Sequence, residues 1–347
     1  MRHILALLGD INLMNVTDAS VPFRRVRDVL ATTSCRFANL ECCLFEQSTA
    51  HELRDEGFFA PPAAGEALKL AGIDAVGNAN NVNYGVEPIT SSCANLKKLG
   101  IPHTGAGVDR ASAYAPVIVE RNGVRYGFLQ RSSVYWPTNH EAGEHSPGIA
   151  VLQGHTAYQP MLYKIRPELP PANRPGVPPA IVTWADPKGL ARYREDIERL
   201  RAQCDILTVS HHWGLFEEVL DYQIEIAHAG IDAGADAVIG HGPHYSLAME
   251  MYKGKPVFYG LGNFSFHTGH GGRKHGNWIG EAAQLTYDDK VLQRVAIRLV
   301  RHNDANETYF SPPRDEADAI ARLQSFCDKF GTKLATDGDE LVIWRRG

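Results

Sequence analysis

At 347 residues, with 44% hydrophobic and 22% charged side chains, the chain has the composition of an ordinary globular protein and length enough for one large core or two. Its 35 basic against 40 acidic side chains give a formal charge of −5, without the basic face or stripe that a nucleic-acid partner requires. No run approaches the ~20 apolar residues of a membrane span, and the apolar run at 4–8 is too short for a secretory leader, so a cytoplasmic protein is expected.

Residues 3–8 (HILALL) predict a buried strand ending in the turn Gly9-Asp10-Ile11-Asn12, which carries a carboxylate and an amide. A helical pattern at 24–32 precedes a second strand at 36–40, which ends in Asn39-Leu40-Glu41. Side chains alternate along a strand, so Asn39 and Glu41 point to one face and Cys42 and Cys43 to opposite faces. The six cysteines, with no CxxC pair among them, read as reduced and mostly buried thiols.

Pro61-Pro62 leads into a helix at 64–71 that stops at Gly72. The strand at 73–77 runs into Asn78-Ala79-Asn80-Asn81-Val82-Asn83, which serves either as a turn or, at a third strand end bearing polar groups, as a source of ligands. A helix at 93–99 and a short strand around 103–105 follow. Next comes a hairpin of 116–120 with 124–129, turning at Asn122-Gly123. Residues 131–188 are rich in proline, with PPANRPGVPPA at 170–180, and read as an irregular insertion over the site within one domain spanning 1–347.

An amphipathic helix at 190–203 and a strand at 204–209 lead to His211-His212-Trp213-Gly214, then a second helix and DAVIGHGPH at 236–244. This βαβ pattern sets His212, His241 and His244 at the carboxyl ends of successive strands, where open α/β sheets bind ligands. One histidine beside a strand is ordinarily a hydrogen-bonded structural residue; three converging from separate strand ends point to a metal. Farther on lie a hairpin turning at Lys253-Gly254-Lys255 and a loop with His267, His270 and His275. An antiparallel pair at 281–287 and 291–301, a helix at 315–330 and a strand at 340–345 complete the chain.

Collected from the strand ends, Asp10, Asn12, Asn39, Glu41, Asn81, His212, His241 and His244 form a carboxylate, amide and imidazole set. It suits Mn, Fe, Zn or Ca, and the absence of thiolate argues against a structural zinc. Eight groups exceed the needs of one ion; two divalent metal ions bridged by a carboxylate would use them.

The runs GDINLM at 9–14, NLE at 39–41, ANN and NYG within 79–85, TGAGVDRA at 104–111, HWG at 212–214, AGADAVIGHGPH and YKGKPVFYGLGNFSF together resemble the CapA family. That family, named for capsule and poly-γ-glutamate synthesis, belongs to the calcineurin-like metallophosphoesterase superfamily. The resemblance implies an α/β fold, a four-layer α-β-β-α sandwich with the site at the carboxyl ends of the central strands. It also implies Asp10, Glu41, Asn81, His212, His241 and His244 as metal ligands, with Asn12 and Asn39 in or beside the coordination sphere.

One departure stands out: family members read Asn-Asn-His where this chain has Asn80-Asn81-Val82. In related phosphoesterases that histidine stabilises the transferring group or protonates the leaving oxygen, and a general acid is worth roughly 10²- to 10⁴-fold. Val82 does neither. The chain is similar in this respect to the branch of the family that epimerises a residue in ribosomal lasso peptides. The first expectation is therefore metal-assisted acid/base catalysis at a peptide Cα. Asp10, Glu41, His211, His267, His270 and His275 are candidate bases or acids, with His103 also available, and Tyr135, Trp136 and Trp184 either contact the peptide or pack the insertion onto the core. The alternatives are metal-dependent hydrolysis of a γ-glutamyl amide or phosphoester, and a non-catalytic binding protein in polymer assembly.

Overall fold

The computed structural model describes residues 2–48, 56–160, 162–163, 168, 172–173, 176–269 and 272–347. Two sheets stack face to face. Among the described residues the larger has ten strands, with Arg2–Asn12 between parallel Cys35–Leu40 and antiparallel Gly280–Asp288. The smaller has six, with Ile206–His212 between parallel Val124–Ser132 and Ala237–His241.

The first strand reads as a continuous apolar run because both of its faces are covered. Leu5 and Leu7 look toward the other sheet and share a core with Phe37, Tyr126, Phe128, Ile206 and Phe258. The Phe37 and Phe128 rings stack across that gap at 4.6 Å. Ala6 and Leu8 point outward, into a core with Leu30, Leu68 and Leu96 from three helices. On the far side, Leu207, Val209 and Val238 pack against Tyr193, Ile197 and Ile226 of the helices Pro187–Arg201 and Asp221–Asp232. The order is helix, sheet, sheet, helix, the four-layer sandwich expected.

Several elements differ from the expectation in extent. The helix expected at 24–32 is regular only over Arg27–Leu30. That expected at 93–99 starts earlier, as Val86–Leu99, entered from Gly85 at φ 98° and closed by Gly100 at φ 73°. The strand expected at 204–209 continues to His212. At the Asn122-Gly123 turn both residues have positive φ, 54° and 76°, matching the right-handed twist of the flanking strands.

Within residues 131–188 the strands Gly154–Gln159 and Ala180–Ala185 pair as a hairpin. It docks on the Asp221–Asp232 helix, where Tyr222 N–H donates to Thr183 Oγ1 and Ala185 N–H to Glu225 Oε2. Trp184 stays on this hairpin, its ring 5.5 Å from that of His155. The earlier part of the segment reaches the asparagine loop: Trp136 Nε1–H donates to the Asn81 carbonyl at 3.1 Å. Tyr135 packs at the edge of a small cluster with Phe59, Ala106 and Ile149. All six cysteines are free; Cys42 lies in the outer core of the larger sheet and Cys43 in that separate cluster. Among the described residues no helix is long and apolar enough to cross a membrane.

Candidate metal centre

The centre is built where strands of both sheets end together. Asp10 is level with Asn39 and with Asn263 on its two neighbouring strands, and His212 is level with His241 in the other sheet. The first strand bulges at Gly9-Asp10, where the pairing register shifts. Gly9 permits this: a Cβ there would lie 2.1 Å from the Gly262 carbonyl oxygen. The Asp10 amide donates to that same oxygen at 2.9 Å, which pins the bulge and aims the carboxylate at the gap between the sheets.

Asp10 Oδ1 accepts from Asn39 Nδ2 at 2.8 Å and from His241 Nδ1 at 2.9 Å. His244, in a left-handed conformation at φ 63°, puts Nδ1 3.5 Å from Asp10 Oδ2 and Nε2 3.7 Å from Glu41 Oε1. Asp10, Glu41 and His244 each offer a ligand atom, all within 4.8 Å of one another. Asn81 Oδ1 lies 2.7 Å from His212 Nε2.

A backbone group decides how Asn39 is turned. Ala79 N–H donates to Gln130 Oε1, so Gln130 Nε2 faces and donates to Asn39 Oδ1 at 3.0 Å, joined there by Asn80 Nδ2. Asn39 therefore presents its amide hydrogens to Asp10 and Glu41 and turns its oxygen away. It orients the carboxylates, a position beside the coordination sphere. Asn12 donates to the Thr268 carbonyl and accepts from the Met14 amide, holding the neighbouring loop.

The electrostatics fit a cation. Burial pushes Asp10 up, but the adjoining imidazoles of His241 and His244 outweigh it and hold the carboxyl well below its usual range. Burial and the Asp10 charge push Glu41 well above its usual range. Neither carboxylate has a lysine or arginine partner among the described residues. Burial takes His212 down to about 3, so it is a neutral imidazole with a lone pair to give. Asp10 Oδ2, His241 Nε2 and His212 Nδ1 are buried without a hydrogen-bond partner. Buried polar atoms are nearly always paired, so three unpaired donors around two carboxylates match a divalent cation in charge and in ligand type.

Other candidates lie elsewhere. His211 is on the opposite face of its strand from His212: Nε2 meets Tyr193 Oη at 2.9 Å and the ring stacks on Trp213, inside the helix-covered core. This corrects its expected catalytic placement, and strand alternation is the reason. His103 sits on the edge strand of the larger sheet, three strands from Asp10. His267 lies beyond Phe266 with Nδ1 3.2 Å from Thr268 Oγ1 and a buried, unpartnered Nε2. His275 brings its ring 5.1 Å from that of His244. His270 lies outside the described residues. Two participants escaped the sequence reading. Asn263 accepts His244 Nδ1–H at 2.9 Å, and the strand-end rule applied to Gly262-Asn263 would have found it. Gln130 stands in the apolar strand Val124–Ser132, where a lone buried amide was the signal.

A helix–sheet–sheet–helix sandwich with carboxylates, an amide and imidazoles at adjoining strand ends defines an α/β protein of the metallophosphoesterase-like type. Over residues 5–268 the sequence matches the family described as Bacterial capsule synthesis protein PGA_cap, and the chain belongs to that family. It is 28% identical over 284 residues to Sinorhizobium fredii protein y4sH, covering 70% of this chain and 61% of that one. It is similar to the PGA biosynthesis protein CapA of Bacillus subtilis, 29% identical over 209 residues, 59% of this chain and 45% of the relative. The Capsule biosynthesis protein CapA of Bacillus anthracis is 26% identical over 279 residues, with coverage of 76% and 60%. The chain thus spans about three fifths of the length of the first of these relatives.

Proposed function

We propose that the chain is a metal-dependent enzyme that epimerises a residue of a peptide by removing and returning the proton at Cα. The observation that carries this reading is Val82. It follows Asn81 directly, is 2% exposed and belongs to the outer core of the larger sheet. At the position where hydrolytic relatives are expected to hold a histidine, this chain packs an aliphatic side chain with no proton to give a leaving group.

Asp10, Glu41, His241, His244, His212 and Asn81 would hold one or two divalent ions. When bound, the ions supply Lewis acidity that polarises a carbonyl and acidifies the adjacent Cα–H. His275, taken down to about 4 mainly by burial, is unprotonated near neutrality and stands beside His244 as a base. His267, with its unpartnered Nε2, is the candidate acid: it would enter the turnover protonated at that nitrogen and leave it neutral as His275 takes up the Cα proton.

The test is incubation of the Mn²⁺-loaded protein with peptides in deuterated water. Uptake of one deuterium without cleavage is the expected outcome. Cleavage with solvent incorporated would replace this reading by hydrolysis. A second reading, a role in assembling a glutamyl polymer, is favoured by the printed names of the Bacillus relatives. It predicts neither exchange nor cleavage, with binding of poly-γ-glutamate in their place.

A further inference from the structure

A cavity of about 400 Å³ opens beside His244, a partly exposed member of the candidate centre. Its opposite wall is the helix Ala317–Asp328, and its lining includes Trp278, Ile279, Leu299, Leu323 and Phe326. We propose that this cavity is the subsite for a large apolar side chain, aromatic or branched aliphatic, of a peptide whose backbone lies at the Asp10–Glu41–His244 cluster. The proposal rests on the peptide reading above and names the substrate class within it.

Charge argues for an apolar occupant. The lining carries two cations, and both are committed. Arg301 grips Glu316 through Nε and Nη2 at 2.8 and 2.6 Å and spends Nη1 on the Asn277 side chain and the Trp278 carbonyl. Arg322 is paired with Glu217. A glutamyl side chain entering here would lose water and find no free cation, which is unfavourable for a carboxylate. An apolar group meets no such penalty, and the volume sits toward the low end of the ~300–1,000 Å³ typical of small-ligand sites.

An independent observation comes from the surface. Leu215 and Phe216, 56% and 68% exposed, follow His212-Trp213-Gly214, and Tyr245, 44% exposed, follows His244. Large apolar side chains thus stand in solvent on the two loops that carry the candidate ligands, and Glu217 and Tyr245 continue into the cavity lining. Phe216 is held at φ 52°, a conformation rare for a bulky residue and one that the surrounding structure must enforce. The far wall comes from residues beyond 268, where the family match ends. Selectivity would then belong to this chain's own C-terminal segment, while the metal motifs belong to the family.

The experiment is calorimetric titration of the Mn²⁺-loaded full chain with acetylated, amidated tetrapeptides Ala-Ala-X-Ala, where X is Trp, Leu or Glu. The Trp and Leu peptides are expected to bind at least about tenfold more tightly than the Glu peptide, as burial of one large apolar side chain implies. Ala319→Trp, at a half-exposed position of the last helix that lines the cavity, is expected to abolish that preference. Phe216→Ala, at the exposed residue preceding Glu217 of the lining, is expected to weaken the Trp peptide several-fold with an unchanged melting temperature. Equal affinities, a preference for Glu, no binding of any peptide, or an Ala319→Trp protein that keeps the preference would overturn the subsite. Titration reads binding alone. A peptide bound with this preference that takes up no deuterium leaves the subsite standing and removes the epimerase reading; exchange without preference does the reverse.

Discussion

His140 shows how one buried side chain ties the site to acidity. Its Nδ1 accepts the Trp136 amide proton at 3.0 Å and its Nε2–H donates to the Asn83 carbonyl at 2.8 Å, a pattern that requires the neutral ring. Burial lowers it from 6.5 to about 4. The unfolded chain therefore takes up a proton below pH 6.5 that the native protein refuses until about pH 4. Stability from the neutral ring is complete above pH 6.5 and is lost as pH falls through that window. From pH 7.5 to 5 the loss from this residue is about 2 kcal/mol. His140→Gln is expected to flatten the acid limb of a stability–pH curve, measured by urea unfolding, by that amount. Parallel curves for the two proteins would contradict the assignment. The same sign holds for His212 and His275, so the variant reduces the slope without removing it.

At the level of elements, the bulge at Gly9-Asp10 is the joint on which the centre turns. Gly9→Ala would drive a methyl group against the Gly262 carbonyl, which is backbone on a neighbouring strand end and has little room to retreat. The expected cost is about 3 kcal/mol or more, since overpacking against the main chain moves two strands. A melting temperature within a degree of the parent would show that the bulge relaxes freely. The strands were legible in the sequence because both faces of Arg2–Asn12 and Ile206–His212 are covered and read as apolar runs punctuated by glycine. Strand alternation likewise located Asn39 and Glu41 together. It was not carried far enough at His211-His212, where the same rule sends one ring to the centre and the other into the helix-packed core. Nor did the sequence disclose which way Asn39 is turned. That depends on Gln130 and the Ala79 amide, brought in from other strands, and only tertiary structure sets a hydrogen-bond direction of this kind.

For the molecule as a whole, the proposed cation would couple its binding to the native structure. The donors Asp10, Glu41, His212, His241 and His244 come from four chain segments, and unfolding disperses them. A cation that binds only the folded form, at a hundred times its dissociation constant, adds about 2.7 kcal/mol. Dialysis against a chelator is expected to lower the melting temperature, and Mn²⁺ to restore it. In Asp10→Asn, which keeps the shape and removes the charge, Mn²⁺ is expected to leave the melting temperature unmoved. A metal-dependent shift that survives in that variant would place the ion elsewhere.

The contact between Asp10 and His241 spans 231 positions of sequence. Contacts of that range form after the local hairpins and βαβ units, because closing so long a loop is unfavourable until both sheets exist to reward it. An ion held there stabilises the finished fold and little of what precedes it. Its kinetic imprint therefore falls on escape from the native state: the loaded protein unfolds more slowly, while the rate at which the chain refolds stays as it was.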